Sequence, residues 1–180
     1  MAEPLARTLK RIRRSGNRGR VISFAPNGTR LTDETVRRWV ADNEDMVLIC
    51  GRYEGIDQRF LDHYVDETVS VGDFVLSGGE LAAMILIDAV VRQLPGAIKE
   101  LSTLDESFST GLLDAPHYTR PEVWEGETEV LLTGHHANIA KWTREKALEI
   151  TLRSRPDLIE KARSCGKLTK ADLLWLKKNA

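Results

Sequence analysis

The feature that most constrains the fold is a regular alternation of short apolar runs with helical segments. Residues 46–50 read Met-Val-Leu-Ile-Cys and are apolar on both faces, as a central strand of a parallel sheet is. Residues 20–24 and 67–71 are further strand-like runs, and helical patterns lie between the three runs. Strands that alternate with helices predict an α/β domain built on a parallel sheet.

Turn and capping signals set the expected ends of these elements. Pro26-Asn27-Gly28 predicts that the first strand stops after Phe24. Thr32 is a predicted N-cap for the helix that follows. A long apolar helix is expected from about residue 80 to residue 94, because Pro95-Gly96 ends it. Cys50 closes an apolar run and is therefore predicted to be a buried, reduced thiol.

The character of the chain changes in its last third. Residues 97–129 show little periodicity, and so long an irregular connection in a compact protein is usually functional or disordered. Residues 137–153, 156–163 and 169–178 follow as three helical patterns, several of whose side chains are basic. The sequence therefore predicts a small, basic, helical C-terminal domain.

The net charge of −1 hides an uneven distribution. Residues 1–20 and residues 141–180 each carry a net charge of +6, whereas residues 21–140 carry −13. Two basic ends are either phosphate-binding surfaces or simply solvated helix faces, and charge alone does not separate these alternatives.

Several classes of protein are disfavoured by the sequence. No apolar run approaches the roughly 20 residues that span a bilayer, and no apolar signal segment follows the N-terminal positive charges. We therefore expect a cytoplasmic protein without a membrane partner. Cys50 and Cys165 form no ligand spacing, and the adjacent His135 and His136 point about 100° apart on a helix, so no metal site is predicted.

Two glycine-containing loops follow predicted strands, at residues 51–55 and 72–79. Loops at the carboxyl ends of parallel strands are where ligands bind, and glycine lets the backbone approach a ligand closely. Neither loop matches GxGxxG or GxxxxGK[ST]. A nucleoside ligand without a polyphosphate fits better than a dinucleotide or ATP, although the glycines alone are also consistent with tight turns.

Carboxylates occur in the irregular segment at Asp105, Glu106 and Asp114. They are either solvated loop charges or a general base with supporting groups, and their spacing does not decide between the two.

Three runs resemble the bacterial tRNA (guanine-N1)-methyltransferase family, called TrmD. They are Ile49-Cys50-Gly51-Arg52-Tyr53-Glu54-Gly55-Ile56-Asp57, Val71-Gly72-Asp73-Phe74-Val75-Leu76-Ser77-Gly78-Gly79-Glu80 and Gly111-Leu112-Leu113-Asp114-Ala115-Pro116-His117-Tyr118-Thr119-Arg120-Pro121. The order and spacing of the runs also match, and the resemblance covers nearly the whole chain.

The resemblance implies a SPOUT-type α/β fold with a deep trefoil knot, a small all-helical C-terminal domain and an obligate homodimer. It implies a knotted domain at residues 1–98, an interdomain linker at 99–129 and a tRNA-binding domain at 130–180. S-adenosylmethionine is the expected cofactor. Its expected binding residues are Pro26, Gly51, Glu54, Val71, Gly72, Asp73, Phe74, Val75 and Leu76.

The implied reaction is transfer of a methyl group to N1 of guanosine at position 37 of tRNA. Guanine N1 carries a proton, so a base must remove it while a cation stabilises the charge that develops on O6. By the resemblance, Arg92 is the cation and Asp114 supports substrate binding. The family has an aspartate before its Ser-Phe pair; here Glu106 stands at that position and is the expected base, with Asp105 as the alternative.

The chain also departs from the family at its N-terminus. Members begin with a strand, a helix and a Gly-Gly-Gly-x-Gly-Met segment, and Met1 falls where the last residue of that segment is expected. Two other functions therefore stay open: a truncated homologue that binds cofactor or tRNA without turnover, and a SPOUT enzyme that acts on ribosomal RNA.

Overall fold

The computed structural model describes residues 1–98, 106–121, 123–124, 127–128 and 136–179. The chain divides into two compact units, Met1–Ile98 and Lys99–Ala180. No helix within the described ranges is long and apolar enough to cross a bilayer.

The first unit is an α/β domain with a three-stranded parallel sheet in the order β2-β1-β3, as the alternating pattern predicts. Its elements, in chain order, are α1 (Ala2–Arg14), β1 (Arg20–Arg30), α2 (Asp33–Asp42), β2 (Met46–Ile49), α3 (Gln58–Tyr64), β3 (Glu67–Ser70) and α4 (Glu80–Val91). Thr32 caps α2 as expected, since its side chain accepts a hydrogen bond from the Thr35 amide.

Helices cover both faces of this sheet. Val21 of β1 packs with Leu9 of α1 and Phe60 of α3, whereas the next residue, Ile22, packs with Trp39 of α2 and with Leu86 of α4. Successive residues of a strand point to opposite faces, so β1 is the central strand of a three-layer α/β/α arrangement.

The prediction that β1 ends at Phe24 is wrong. Val69 of β3 is opposite both Phe24 and Thr29, so residues 25–28 bulge out of the sheet and the strand then resumes to Arg30. A Cβ atom on Gly28 would lie 2.6 Å from the carbonyl oxygen of Thr68, so only glycine allows the chain to return this close to β3. The Pro-Asn-Gly signal therefore marks an interruption of the strand.

The described residues of the second unit form three helices and a short antiparallel hairpin. The hairpin strands are β4 (Val123–Trp124) and β5 (Glu127–Thr128), and the helices are α5 (His136–Ser154), α6 (Pro156–Ser164) and α7 (Lys170–Asn179). The predicted helices agree with these to within one residue at each end. Leu112 and Ala115 pack into the helical core, so part of the segment assigned to the linker contributes to this unit.

A buried ion pair joins α5 to the start of α7. Asp172 is only 3% exposed; it accepts hydrogen bonds from Arg144 Nε at 3.1 Å and Nη2 at 2.9 Å, and from the Thr169 amide at 2.8 Å. Its own amide donates to the Thr169 hydroxyl, which completes a capping box. Desolvation raises the pKa of Asp172, but these hydrogen bonds outweigh it and leave the pKa below its ordinary value.

Candidate functional site

A cavity of about 290 Å3 lies in the first unit, beside the bulge of β1 and the carboxyl ends of β2 and β3, and ligands of open α/β sheets bind at the carboxyl ends of strands. The bulge of β1 and the two glycine-containing loops surround it. The lining residues are 23–26, 51–56, 69–72 and 74–79, together with Leu61 and Ala82.

Direct contacts hold the two glycine loops together. The Gly79 amide donates to the Gly51 carbonyl at 2.8 Å, and Arg52 forms an antiparallel bridge with Gly78. A Cβ atom on Gly79 would lie 3.0 Å from Cα of Cys50, so the close approach favours glycine. The mouth of the cavity is thereby shaped by the packing of one loop against the other.

A surface ion pair reinforces this junction. Arg52 Nε donates to Glu80 Oε1 at 2.7 Å, and this hydrogen bond holds the pKa of the Glu80 carboxyl below its ordinary value. Both side chains are substantially solvent-exposed, so the pair orients the loops more than it stabilises the fold.

Eight of the nine predicted cofactor-binding residues line this one cavity. They are Pro26, Gly51, Glu54, Val71, Gly72, Phe74, Val75 and Leu76. Asp73, the ninth, lies in the same loop but is not among the lining residues, and it is exposed.

The cavity combines apolar walls with polar groups that already have partners. The Ser70 hydroxyl donates to the Gly72 carbonyl at 3.1 Å and accepts from the Gly72 amide at 3.3 Å, which fixes the turn after β3. The Ser23 and Thr68 hydroxyl oxygens lie 2.7 Å apart across β1 and β3. Among the eight predicted cofactor-binding residues that line the cavity, Glu54 is the one that carries a carboxylate.

Tyr53 is not among the predicted site residues, although it lies in the first glycine-containing loop and lines the cavity. Tyr53 has φ of 57° and is 99% exposed at the cavity. A bulky residue in this left-handed conformation is unusual and is found most often at functional sites. The one signal for Tyr53 in the sequence is its position between Gly51 and Glu54, which are both expected cofactor-binding residues.

Cys50 is exposed, so the prediction of a buried thiol is wrong. It follows Ile49, the last residue of β2, and its backbone packs against Gly79 at the junction of the two glycine loops. Partial burial and then the charge of Glu80 raise the pKa of this thiol, which disfavours the reactive thiolate.

The segment that carries Glu106 and Asp114 forms a tight loop on the helical unit. The Phe108 amide donates to the Leu112 carbonyl at 2.7 Å, and the Asp114 amide donates to the Ser107 hydroxyl at 2.9 Å. Phe108 has φ of 74° and is exposed at the tip. This is a second strained, solvent-facing aromatic residue.

Asp114 is positioned by two contacts. Oδ1 accepts a hydrogen bond from the Ala115 amide, and Oδ2 lies 2.8 Å from Nε2 of His117. His117 is thus a neighbour of Asp114 in this loop.

Glu106 and Asp114 belong to one loop of the second unit, whereas Arg92 belongs to the first. Arg92 is half-buried at the C-cap of α4, where its amide donates to the Asp88 carbonyl. Asp105, the alternative base, lies outside the described residues.

Comparison with known proteins identifies the family. The family model described as tRNA (Guanine-1)-methyltransferase TrmD matches residues 1–161. The chain belongs to the TrmD family. This confirms the resemblance drawn from the three sequence runs.

Relatives of this TrmD-family chain include several proteins named tRNA (guanine-N(1)-)-methyltransferase. That of Herminiimonas arsenicoxydans is 58% identical over 160 residues, and that of Janthinobacterium sp. (strain Marseille) is 57% identical over 160 residues; each alignment covers 87% of this chain and 64% of the relative. The protein of Albidiferax ferrireducens is 52% identical over 183 residues, covering 98% of this chain and 73% of the relative. The chain thus spans about two thirds of the length of these relatives.

Proposed function

We propose that this chain transfers a methyl group from S-adenosylmethionine to N1 of guanosine at position 37 of tRNA. The observation that carries the proposal is the convergence of eight predicted cofactor residues on one cavity, in a chain that matches a methyltransferase family over residues 1–161. The relatives described above are named tRNA (guanine-N(1)-)-methyltransferase, which agrees with the proposed reaction type.

The residues at the cavity fit a nucleoside thioether. The glycine loops line the cavity, Leu76 and Ile56 offer apolar contacts, and Glu54 offers a carboxylate for hydroxyl or ammonium groups. The cavity lacks the basic phosphate loop that a nucleotide polyphosphate needs. When bound, S-adenosylmethionine supplies an electrophilic methyl group.

In the proposed mechanism the chain's own residues prepare guanine N1 as the nucleophile. Glu106 accepts the N1 proton, and Arg92 donates hydrogen bonds to O6, where negative charge develops. Asp114 holds the guanine from the same loop as Glu106. The protein also contributes by positioning the two reactants.

We further propose a homodimer whose active site takes residues from both subunits. Arg92 and Glu106 lie in different units of one chain, and α4 exposes a broad apolar surface that we call the α4 apolar face. Its residues are Leu81, Met84, Ile85, Ile87 and Val91. Exposed apolar patches of this kind mark interaction surfaces, and a C2 dimer covers the same patch on both copies.

The proposed topology is the deep trefoil knot of SPOUT enzymes, with the Gly78-Gly79 turn in the knotted crossover. The tight contact of Gly79 with Cys50 and Gly51 supports this placement. The proposed location is the cytoplasm, where a tRNA substrate would be encountered.

Calorimetric titration of the chain with S-adenosylmethionine and with its demethylated product tests the cofactor site. Leu76→Asp places a charge in the cavity and is expected to weaken binding by about tenfold or more, roughly 1.4 kcal/mol. Asp73→Asn is the matched control in the same loop, and it should change the affinity less than about threefold because Asp73 does not line the cavity. Equal losses in both variants, or no binding by the folded parent chain, would contradict the assignment.

A further inference from the structure

Helix α1 presents two faces of opposite character. Leu5, Leu9 and Ile12 lie on the face that packs into the cluster around Phe60 of α3. Four basic residues repeat at spacings of three and four on the opposite face, so they form one stripe along the helix. This α1 basic stripe consists of Arg7, Lys10, Arg11 and Arg14, all of which are exposed.

Most of the positive charge on this stripe has no acidic partner. Arg7 forms a solvent-exposed ion pair with Glu3 at 3.0 Å, and Nζ of Lys10 lies 5.9 Å from the ring centroid of Tyr64. Within the part of the chain that the structure describes, Arg11 and Arg14 form no salt bridge. Like charges at these helical spacings repel one another, and a bound polyanion would relieve that repulsion.

The basic residues next to the α1 basic stripe lie among acidic side chains. Arg20 lies within 3.3–3.7 Å of carboxylate oxygens of Asp42, Glu44 and Glu67. Arg13 and Arg18 border a groove whose other walls include Glu44, Asp45 and Asp66. That groove has mixed charge and does not fit a polyanion, so the outer face of α1 is the surface that does.

We propose that the α1 basic stripe binds phosphate groups of the RNA substrate, as a contact separate from the cofactor cavity and from the helical unit. This inference rests on the proposed function, which makes RNA the substrate. Residues 7 to 14 of a helix span about 10 Å, a length comparable to four successive phosphates along one strand of a duplex, which are about 3.4 Å apart along its axis. Arginine binds phosphate through its fork of donors.

An anionic membrane is a poorer partner for this helix. An amphipathic helix binds a bilayer by inserting its apolar face, but the apolar face of α1 is already packed against α3. The stripe therefore offers charge without an apolar face to insert, which is the arrangement suited to a phosphate backbone.

The test is the salt dependence of RNA binding. Fluorescence anisotropy would follow an end-labelled, unmodified tRNA transcript with guanosine at position 37, over roughly 50–300 mM KCl. For Arg11→Gln/Arg14→Gln we expect the slope of log K against log salt to fall by about 1.4–1.8, because each of the two lost phosphate contacts contributes about 0.7–0.9. The affinity near 100 mM salt should fall about tenfold.

The matched control is Arg30→Gln/Arg38→Gln, which removes the same charge from exposed positions of the same unit. It should keep the parent slope and an affinity within about twofold. Circular dichroism would verify that α1 stays helical, as glutamine is a good helix former. Equal slopes for the parent and the Arg11/Arg14 variant would overturn the proposal, and so would equal losses in both double variants.

The remaining outcomes separate this inference from the proposed function. A parent chain that binds tRNA through Arg11 and Arg14 but incorporates no methyl group would support the α1 contact and count against the proposed reaction. A parent chain with no affinity for tRNA, or one that binds only phosphatidylserine vesicles, would overturn the α1 contact. Calorimetry with S-adenosylmethionine would still test the cofactor cavity independently.

Discussion

At the scale of single residues, Glu106 has the most demanding part in the proposed mechanism. Glu106→Gln keeps the size and polarity of the side chain but cannot accept the N1 proton, so methyl incorporation into unmodified tRNA should fall about 100-fold or more. Glu106→Asp keeps a carboxylate and should retain activity. Cofactor affinity should stay unchanged in both variants, because residue 106 is not part of the cavity.

The neighbouring acid provides the control for this experiment. Asp105→Asn should methylate at a rate close to that of the parent. If Asp105→Asn is inactive while Glu106→Gln is fast, the base lies one residue earlier. If neither substitution changes the rate, the loop carboxylates are only solvated charge and the proposed base is wrong.

The sequence could identify cavity-lining residues where the signal is local to a loop. The glycines that follow β2 and β3 pointed to the cavity, since the topology of a parallel sheet brings such loops to one edge. The exposure of Cys50 could not be predicted in this way. Whether a thiol one residue past a strand is buried or exposed depends on which loop packs against that residue. At Cys50 the packing residue is Gly79, which is distant in the sequence.

At the scale of elements, the loop of residues 106–115 depends on one buried hydroxyl of α5. Thr151 is fully buried; its Oγ1 accepts from the Leu113 amide at 2.9 Å and donates to the Ala147 carbonyl at 2.6 Å. Thr151→Val leaves the Leu113 amide unsatisfied, so the free energy of unfolding of this unit should fall by about 1–2 kcal/mol. Chemical denaturation would measure the loss.

Two further variants separate a positioning role from general destabilisation. Thr151→Ser keeps the hydroxyl and should methylate at the parent rate, whereas Thr151→Val should be slower. Thr143→Val alters an exposed threonine of the same helix and should change neither the stability nor the methylation rate. If Thr151→Val methylates at the parent rate below its unfolding transition, the hydroxyl does not position the loop that holds Glu106 and Asp114.

The elements themselves were predicted best where periodicity is strong. The helices of the second unit agree to within one residue because caps and apolar spacing are local signals. The continuation of β1 to Arg30 was missed, because the pairing of Thr29 and Arg30 with β3 is a tertiary contact that overrides a local turn signal. The docking of Leu112 and Ala115 into the helical core was likewise hidden in an aperiodic segment.

At the scale of the whole molecule, the α4 apolar face should hold two copies together. Met84 is 64% exposed and Ile87 is 50% exposed. Met84→Asp places a charge on the α4 apolar face and should shift the chain from a species of about 40 kDa to one of about 20 kDa in light scattering at micromolar concentration. Glu34→Asp preserves the charge at an exposed position of α2, and it should leave the mass unchanged.

A parent chain that scatters only as a 20 kDa monomer would contradict the dimer. It would also count against an active site built from two subunits, and Arg92 and Glu106 would then have to meet within one chain. Loss of methylation in a monomeric but folded Met84→Asp variant would support the shared site.

The most direct measurement of the central claim is nucleoside mass spectrometry on a tRNA transcript incubated with the chain and S-adenosylmethionine. The proposed function predicts 1-methylguanosine in a transcript with guanosine at position 37 and none in the same transcript with adenosine there. It also predicts that modification stops reverse transcription at that position. Absence of 1-methylguanosine, with a chain that is folded and binds both cofactor and tRNA, would contradict the proposed methyl transfer.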